Sequence, residues 1–468
     1  MKFYGRVPET KALDRLKKDF RIAVVGRRRI GKTTLIEHHY GSRCLTLFIP
    51  AEKAEREIVH DWVTEYKDLH LPEVGTLKEF FDFIFFHIKD RVFFIDEIQN
   101  VLKVNKSFLF DLQRMIDKYR PNLVVSGSLI GTMKHILEDN RNPLYGRFDH
   151  IIKLKELDFR TVHEICADLK INTEDAIRLY SVFGGVPKYY ELIEKLGCPP
   201  LDELILEMFV RYPRPLYEEV KTMLKEEFGS EHRTFFSILS AISQGNNKAS
   251  EIAGYLGKKE TEITKYLALL RNDFELIDRI VPVTGGNKGI FTIKNNLVSF
   301  WFRNIWKNNQ LIETGHERTV EAATLRDFEQ NVSRAFESIV HELVIAGMVP
   351  FEYTAIGRQW GKIPGEPKDR NQYEIDILAL NEKSLDALII ECKWQDDVNA
   401  HALLEKMKAR SNAVLWHRGQ RTEHYAIFAK SFKKKSEEDK VYLYDLKAIK
   451  RILEGSTAQL KNKIPRTI

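Results

Sequence analysis

The chain has 468 residues, which at about 150 residues per domain suggests roughly three domains, each long enough to bury a core. Hydrophobic residues are 43% and charged residues 30%, which excludes a disordered chain. Lys plus Arg is 73 against 67 Asp plus Glu, a net charge of +6, which permits nucleic-acid binding without requiring it.

Five β-branched or apolar runs open the chain: RIAVVG (21–26), LTLFI (45–49), RVFFID (91–96), NLVVSGS (122–128) and HIIKL (150–154). Amphipathic stretches such as Lys32–Tyr40 and Phe108–Tyr119 lie between them. Strand and helix in alternation predict a parallel sheet with helices on both faces. Residues 156–225 read as helices, interrupted at FGGVP (183–187) and at Pro213 and Pro215. Residues 232–305 read as three helices and a hairpin with a Gly-Gly turn, IVPVTGGNKGIFTI. A polar stretch follows, a linker or connecting helix. From residue 328 the order is helix, strand, strand, helix, strand.

The strongest motif is Gly26-Arg27-Arg28-Arg29-Ile30-Gly31-Lys32-Thr33, with Thr34 next. It fits GxxxxGK[ST] between a strand and a helix, the context that a phosphate-binding loop requires. Backbone N–H groups and the helix N-terminus would wrap the phosphates of ATP. Lys32 would contact the β- and γ-phosphates, and Thr33 would ligate Mg²⁺. The run Val92-Phe93-Phe94-Ile95-Asp96-Glu97 is a buried strand that delivers Asp96 to the same Mg²⁺. Glu97 is placed to be the general base for an attacking water. Ser126, ending the next strand, would sit near the γ-phosphate. Arg147 would either reach a neighbouring subunit's γ-phosphate or form a structural ion pair.

These pieces resemble the archaeal-type P-loop ATPase family, relatives of the AAA+ and STAND nucleotidases. FYGRVPETKAL (3–13), VVGRRRIGKTTLI, FFIDEIQN, VVSGS, PLYGRF and FGGVPKYY (183–190) carry the resemblance over roughly residues 1–310. It implies that Tyr4, Gly5 and Arg6 help to hold the adenine, and that the Gly-Gly-x-Pro segment belongs to a helical lid. Lys188 stands where related ATPases often have an Arg.

Residues 250–257 and Glu260–Arg271 read as helix, turn, helix, with Ile263, Leu267 and Leu270 forming one apolar stripe. With the hairpin as a wing, this is a winged helix-turn-helix pattern. The exposed face offers Lys258, Lys259, Thr261, Thr264 and Lys265 to DNA, but also Glu260 and Glu262, which phosphates repel.

In the C-terminal part, Tyr373–Leu380 and Leu385–Trp394 form a hairpin around Asn381–Ser384. A four-residue turn there pairs Leu380 with Leu385 and Asp376 with Ile389. Asp376, Glu391 and Lys393 then share one face, whereas a three-residue turn would separate them. Two carboxylates and a lysine on one face can bind Mg²⁺ and activate water against a phosphodiester. Glu337, on the preceding helix, would add a third carboxylate. The pattern resembles the PD-(D/E)xK nuclease superfamily over about 328–468. Trp360 and Trp394 line this site or pack, and Arg410 and Lys433–Lys435 offer phosphate contacts.

The expected architecture is α/β. It comprises a P-loop ATPase core (1–155), a helical lid (156–228), a winged helix (229–310), a linker (311–327) and a restriction-endonuclease-like α/β domain (328–468). Cys44, Cys166, Cys198 and Cys392 form no CxxC pair, so no disulfide framework or zinc site is expected. The opening MKFYGRVPET has no apolar signal, and Phe80–Ile88 is too short to span a bilayer. The expected setting is cytoplasmic, without a membrane. The expected cofactors are ATP and Mg²⁺, and the partners are DNA and either a second copy or another protein.

Overall fold

In a computed structural model, the described residues are 1–286, 289–363, 365–367, 371–436 and 438–455. The last residues of the expected nuclease-like domain, 456–468, lie outside them. Two compact units form. The first comprises Met1–Leu157, Val186–Lys195 and Asn272–Phe274. The second takes Asp158–Gly185, Leu196–Arg271 and the described residues from Glu275 onward.

The first unit is built on strands β1 (Arg21–Val25), β2 (Cys44–Phe48), β3 (Val92–Asp96), β4 (Leu123–Gly127) and β5 (His150–Lys153). All are parallel, in the order β2-β3-β4-β1-β5. Side chains alternate across the sheet. Ile22, Val24, Phe94 and Val124 pack under helix Lys32–Tyr40 with Leu35 and Ile36. Ala23, Val25, Phe93, Ile95 and Val125 pack on the opposite side with Phe80, Phe81 and Leu112. Both faces are covered, so these strands read as unbroken apolar runs. The parallel sheet has the P-loop arrangement, with β4 inserted between β1 and β3. The carboxyl ends of β1, β4 and β3 present the loop at Gly26, then Gly127, then Asp96 along one edge, where α/β folds place ligands.

The second unit begins with helices, among them Phe159–Asp168 and Thr173–Phe183. Helices His232–Ser243, Ala249–Leu256 and Glu260–Asn272 follow, then the antiparallel pair β6 (Ile277–Ile280) and β7 (Ile290–Ile293). Ile263, Leu267 and Leu270 are buried as one stripe. Gly285 and Gly286 lie beyond the end of β6 at Ile280, and Asn287 and Lys288 of the expected turn lie outside the described residues. Of the two readings of the stretch after the hairpin, linker or connecting helix, the structure has a helix over its second part. Residues 317–327 begin a 29-residue helix, Glu317–Ile345. Val320, Thr324 and Phe328 are buried at helical spacing, continuous with Val332, Phe336 and Ile339. Polar neighbours on the other face hid that stripe.

The remaining strands are β8 (Ala355–Lys362), β9 (Gln372–Asn381), β10 (Asp386–Lys393), β11 (Val398–Asn399), β12 (Thr422–Ala429), β13 (Phe432–Lys434) and β14 (Val441–Tyr444). Five form a mixed sheet ordered β14-β12-β10-β9-β8. Helix Ala400–Ser411 covers one face, its Leu404 and Met407 against Ile375, Leu378 and Ile389. The β9–β10 hairpin departs from the expected register. Asn381 stays in the strand and pairs with Asp386, so Ile389 faces Leu378, not Asp376. The reason is local: the Asn381 side-chain oxygen accepts from the N–H groups of Lys383 and Ser384, and Leu385 turns left-handed at φ 57°. The turn therefore spans Glu382–Leu385. The slip is of even length, which preserves the face each residue occupies. A bulge in the β8–β9 ladder falls at Asp376 and Ile377, which together oppose Arg358. Among the described residues, no helix is long and apolar enough to cross a membrane.

Gly127, at the end of β4, tests this packing. A β-carbon there would collide with the Met133 sulfur and stand 2.6 Å from Gln99 Oε1. Overpacking of this kind costs about 1–3 kcal/mol. Gly127→Ala should lower the thermal midpoint by several degrees; an unchanged midpoint would contradict the described packing.

Candidate functional site: a phosphate loop and a carboxylate centre

The loop after β1 turns tightly. A β-carbon at Gly26 would stand 2.7 Å from the Leu154 carbonyl oxygen, and Gly31 has φ 92°. Both positions need glycine, one for space and one for conformation. Lys32 opens the following helix and is only 5% exposed. Its ammonium donates to the carbonyls of Gly26 (3.0 Å) and Arg27 (3.3 Å) and stands 3.6 Å from Glu97. Burial lowers the Lys32 pKa, and the charges of Glu97 and Asp96 work against that shift.

Asp96 is 6% exposed at the end of β3. It accepts from Thr33 Oγ1 at 2.6 Å, from the Ser126 hydroxyl, and from the Glu97 N–H at 3.1 Å. Ser126 thus holds Asp96. Glu97 adopts a left-handed backbone, φ 57°. Its carboxylate accepts from Ser128 Oγ at 2.6 Å and from the Gln99 amide. Burial pushes the Glu97 carboxyl up, but Lys32, Ser128 and Gln99 outweigh it and the net shift is downward. Ser128 belongs to the Ser126-Gly127-Ser128 strand end expected beside the γ-phosphate, whereas Gln99 was not expected at this site. The only sequence signal for Gln99 was its place, just after the Asp-Glu pair.

The other expected nucleotide residues are distributed around the loop. Arg6 does more than flank it. The guanidinium is 7% exposed and donates to the carbonyls of Ile30 (2.8 Å) and Lys155 (2.6 Å), pinning the loop to the chain beyond β5. Arg27 donates to the Phe274 carbonyl. Arg29 stands 5.8 Å from the Tyr189 ring centre, and Pro187 approaches Gly31. Arg28 and Thr34 are exposed. Lys188 pairs with Glu191 at 2.9 Å. Of the two roles considered for Arg147, the structure has the ion pair, with Asp117 at 3.1 Å.

The C-terminal carboxylates converge in the second unit. Glu391 on β10 is 2% exposed. It pairs with Lys393 at 2.6 Å, and Arg410 bonds both of its oxygens at 2.9 and 3.0 Å. Arg410 therefore serves Glu391 and is not a free phosphate contact. Asp376 accepts from the Cys392 N–H at 2.8 Å. Burial and the nearby Glu391 raise the Asp376 carboxyl to about 6. Burial and Asp376 raise Glu337, on the long helix, to about 7. Arg358 stands 3.6 Å from Glu337 and 2.6 Å from Glu374. Trp394 packs on Phe336 and donates to Glu329 at 2.7 Å, while Lys433 to Lys435 are exposed. Among the described residues, no three His, Cys, Asp or Glu side chains form a group that could hold a metal ion.

The Glu97 environment makes a signed prediction. Ser128→Ala removes a hydrogen bond to the ionised carboxylate, so the Glu97 pKa must rise. The acid limb of any Glu97-dependent turnover should move to higher pH; a limb that stays put or moves lower would contradict the assigned contact.

Residues 19–163 match a family model described as an AAA domain, and residues 301–411 match one described as archaea bacterial proteins of unknown function. Two solved structures are similar in part. The Walker-type ATPase PABY2304 of Pyrococcus abyssi is 18% identical with a TM-score of 0.47, covering 64% of this chain and 96% of that one. The ORC2 protein of Aeropyrum pernix, in ADPNP–ADP complexes, is 16% identical with a TM-score of 0.44, covering 67% and 96%. The uncharacterized protein MJECL04 of Methanocaldococcus jannaschii is 31% identical over 462 residues, 95% of this chain and 99% of that protein. The chain belongs to the family of that protein, whose N-terminal part in this chain is an AAA-type P-loop ATPase domain.

Proposed function

We propose that the protein is a Mg²⁺-dependent ATP hydrolase coupled to nucleic acid. One observation carries the hydrolase reading: a buried lysine, a hydroxyl and two carboxylates meet at the carboxyl edge of a parallel sheet. Thr33 and Asp96 supply hard oxygen donors side by side, the chemistry that Mg²⁺ prefers, and they would hold it together with phosphate oxygens and water. Bound Mg²⁺ would neutralise charge on the β- and γ-phosphates. Lys32 would exchange its loop carbonyls for phosphate oxygens. Glu97, ionised and restrained by Ser128 and Gln99, would orient a water and take its proton. Ser126 would keep Asp96 directed at the metal.

The helices Ala249–Leu256 and Glu260–Asn272 with the β6–β7 hairpin support a winged-helix reading. Lys258, Lys259, Thr261, Thr264 and Lys265 are exposed on it, as DNA contact requires. Glu260 and Glu262 are exposed on the same helix and favour a second reading, an ATP-driven switch that docks a protein partner or a second copy. The C-terminal domain we read as nuclease-like in fold but holding rather than cutting. Arg410 occupies both oxygens of Glu391, so the residues as arranged do not fit a metal ion, and no cleavage step is derived.

Glu97→Gln should lower ATP turnover by about 10²–10⁴, the usual worth of a general base, while nucleotide binding persists in a fluorescent-ATP titration. Turnover at the unmodified rate would remove Glu97 from the mechanism. Plasmid DNA should stay intact with Mg²⁺, with or without ATP. Mg²⁺-dependent nicking that disappears in Lys393→Ala would replace the holding role with a cleaving one.

A further inference from the structure

The second unit contains a cleft of about 1800 Å³ between the connection after β6, strands β8 and β9, and the long helix. Its walls are tied together. The Val283 N–H donates to the Arg358 carbonyl at 3.0 Å, and Thr284 Oγ1 donates to Gln359 Oε1 at 3.0 Å. Small-molecule sites usually measure about 300–1,000 Å³. This cleft is larger and suits a segment of chain better than a compact metabolite.

Its lining has unmet polar capacity. Arg303, Arg334 and Lys362 face it from three different elements, and none has an ion pair or hydrogen bond among the described residues. The Nε atoms of Arg303 and Arg358 and Nε2 of His341 are shielded from solvent yet lack a partner. Buried polar atoms normally have one, so each such atom calls for an explanation. Half-buried Trp360 adds an aromatic face to the same wall. The cations are separate points among carboxylates that include Glu337 and Asp376, not a continuous basic field.

We propose that this cleft binds a short single strand of nucleic acid, phosphates on Arg303, Arg334 and Lys362 and a base stacked on Trp360. The proposal rests on the nucleic-acid reading above and narrows it to a strand type and a place. A single strand offers open base faces for stacking, worth about 1–3 kcal/mol per base. A duplex hides those faces and demands charge along a longer surface.

The test is fluorescence anisotropy of the full chain with a labelled 12-nucleotide single strand and a 12-base-pair duplex, over a salt series. The single strand should bind at least tenfold more tightly than the duplex. R334E/K362E should weaken it at least tenfold. R334Q/K362Q, the milder pair, should reduce the log–log salt slope by about 1.4, two phosphate contacts at about 0.7 each. Trp360→Ala should weaken binding with little change in slope. Thermal melting of each variant checks the fold. The pair K258E/K259E, in the turn before helix Glu260–Asn272 and part of the DNA-contact reading above, tests that surface as the alternative site and should weaken single-strand binding less than the cleft pairs do. If the turn pair loses binding and the cleft pairs keep it, the cleft proposal falls while the nucleic-acid reading stands. A duplex preference overturns the strand assignment, and no binding of either probe overturns both.

Discussion

An ammonium group cannot stay charged in a protein interior unless oxygens surround it; removing it from water costs several kcal/mol. Lys32 is the point where this constraint shapes the first unit. Two loop carbonyls and Glu97 surround it. To bring them there, the loop must double back at Gly26 and Gly31, and β3 must end beside β4. The glycines of the loop and the left-handed turn at Glu97 together surround one buried charge. Arg6 extends the logic: it is buried on the carbonyls of Ile30 and Lys155, so the loop is fixed from its far side too.

The second unit solves a similar problem with the signs reversed. Glu391 is nearly inaccessible, and Lys393 and Arg410 together balance it. Asp376 and Glu337 share no such full pairing, and burial first, then repulsion from the neighbouring carboxylate, raises both carboxyl pKa values. The centre is thus an ion-pair network with one satisfied carboxylate and two strained ones. Arg410 comes from helix Ala400–Ser411, which follows β11, so the state of Glu391 depends on how that helix packs on the sheet.

The nucleotide edge was the more legible part of the sequence, because its strands are buried on both faces and its loop motif is local. Lys32–Tyr40 and Phe108–Tyr119 are helices at the bounds that periodicity implied. The C-terminal hairpin was legible in its faces but not in its register, since that depended on the Asn381 side chain capturing two N–H groups. Strand β8 was missed: it is a half-buried edge strand with two glycines and no alternation. Residues 317–327 stayed open between linker and connecting helix, because polar neighbours surround their buried stripe. The roles of Gln99 and Arg410 depend on long-range packing, which spacing in one sequence does not encode.

The central claim is that ATP hydrolysis in this chain responds to nucleic acid. Steady-state ATP turnover of the full chain, measured against rising single-strand concentration at low and high salt, tests it most directly. The account predicts a saturable change in turnover at low salt that vanishes as salt rises, because phosphate contacts release counterions. A turnover rate indifferent to the strand at every salt concentration would contradict it.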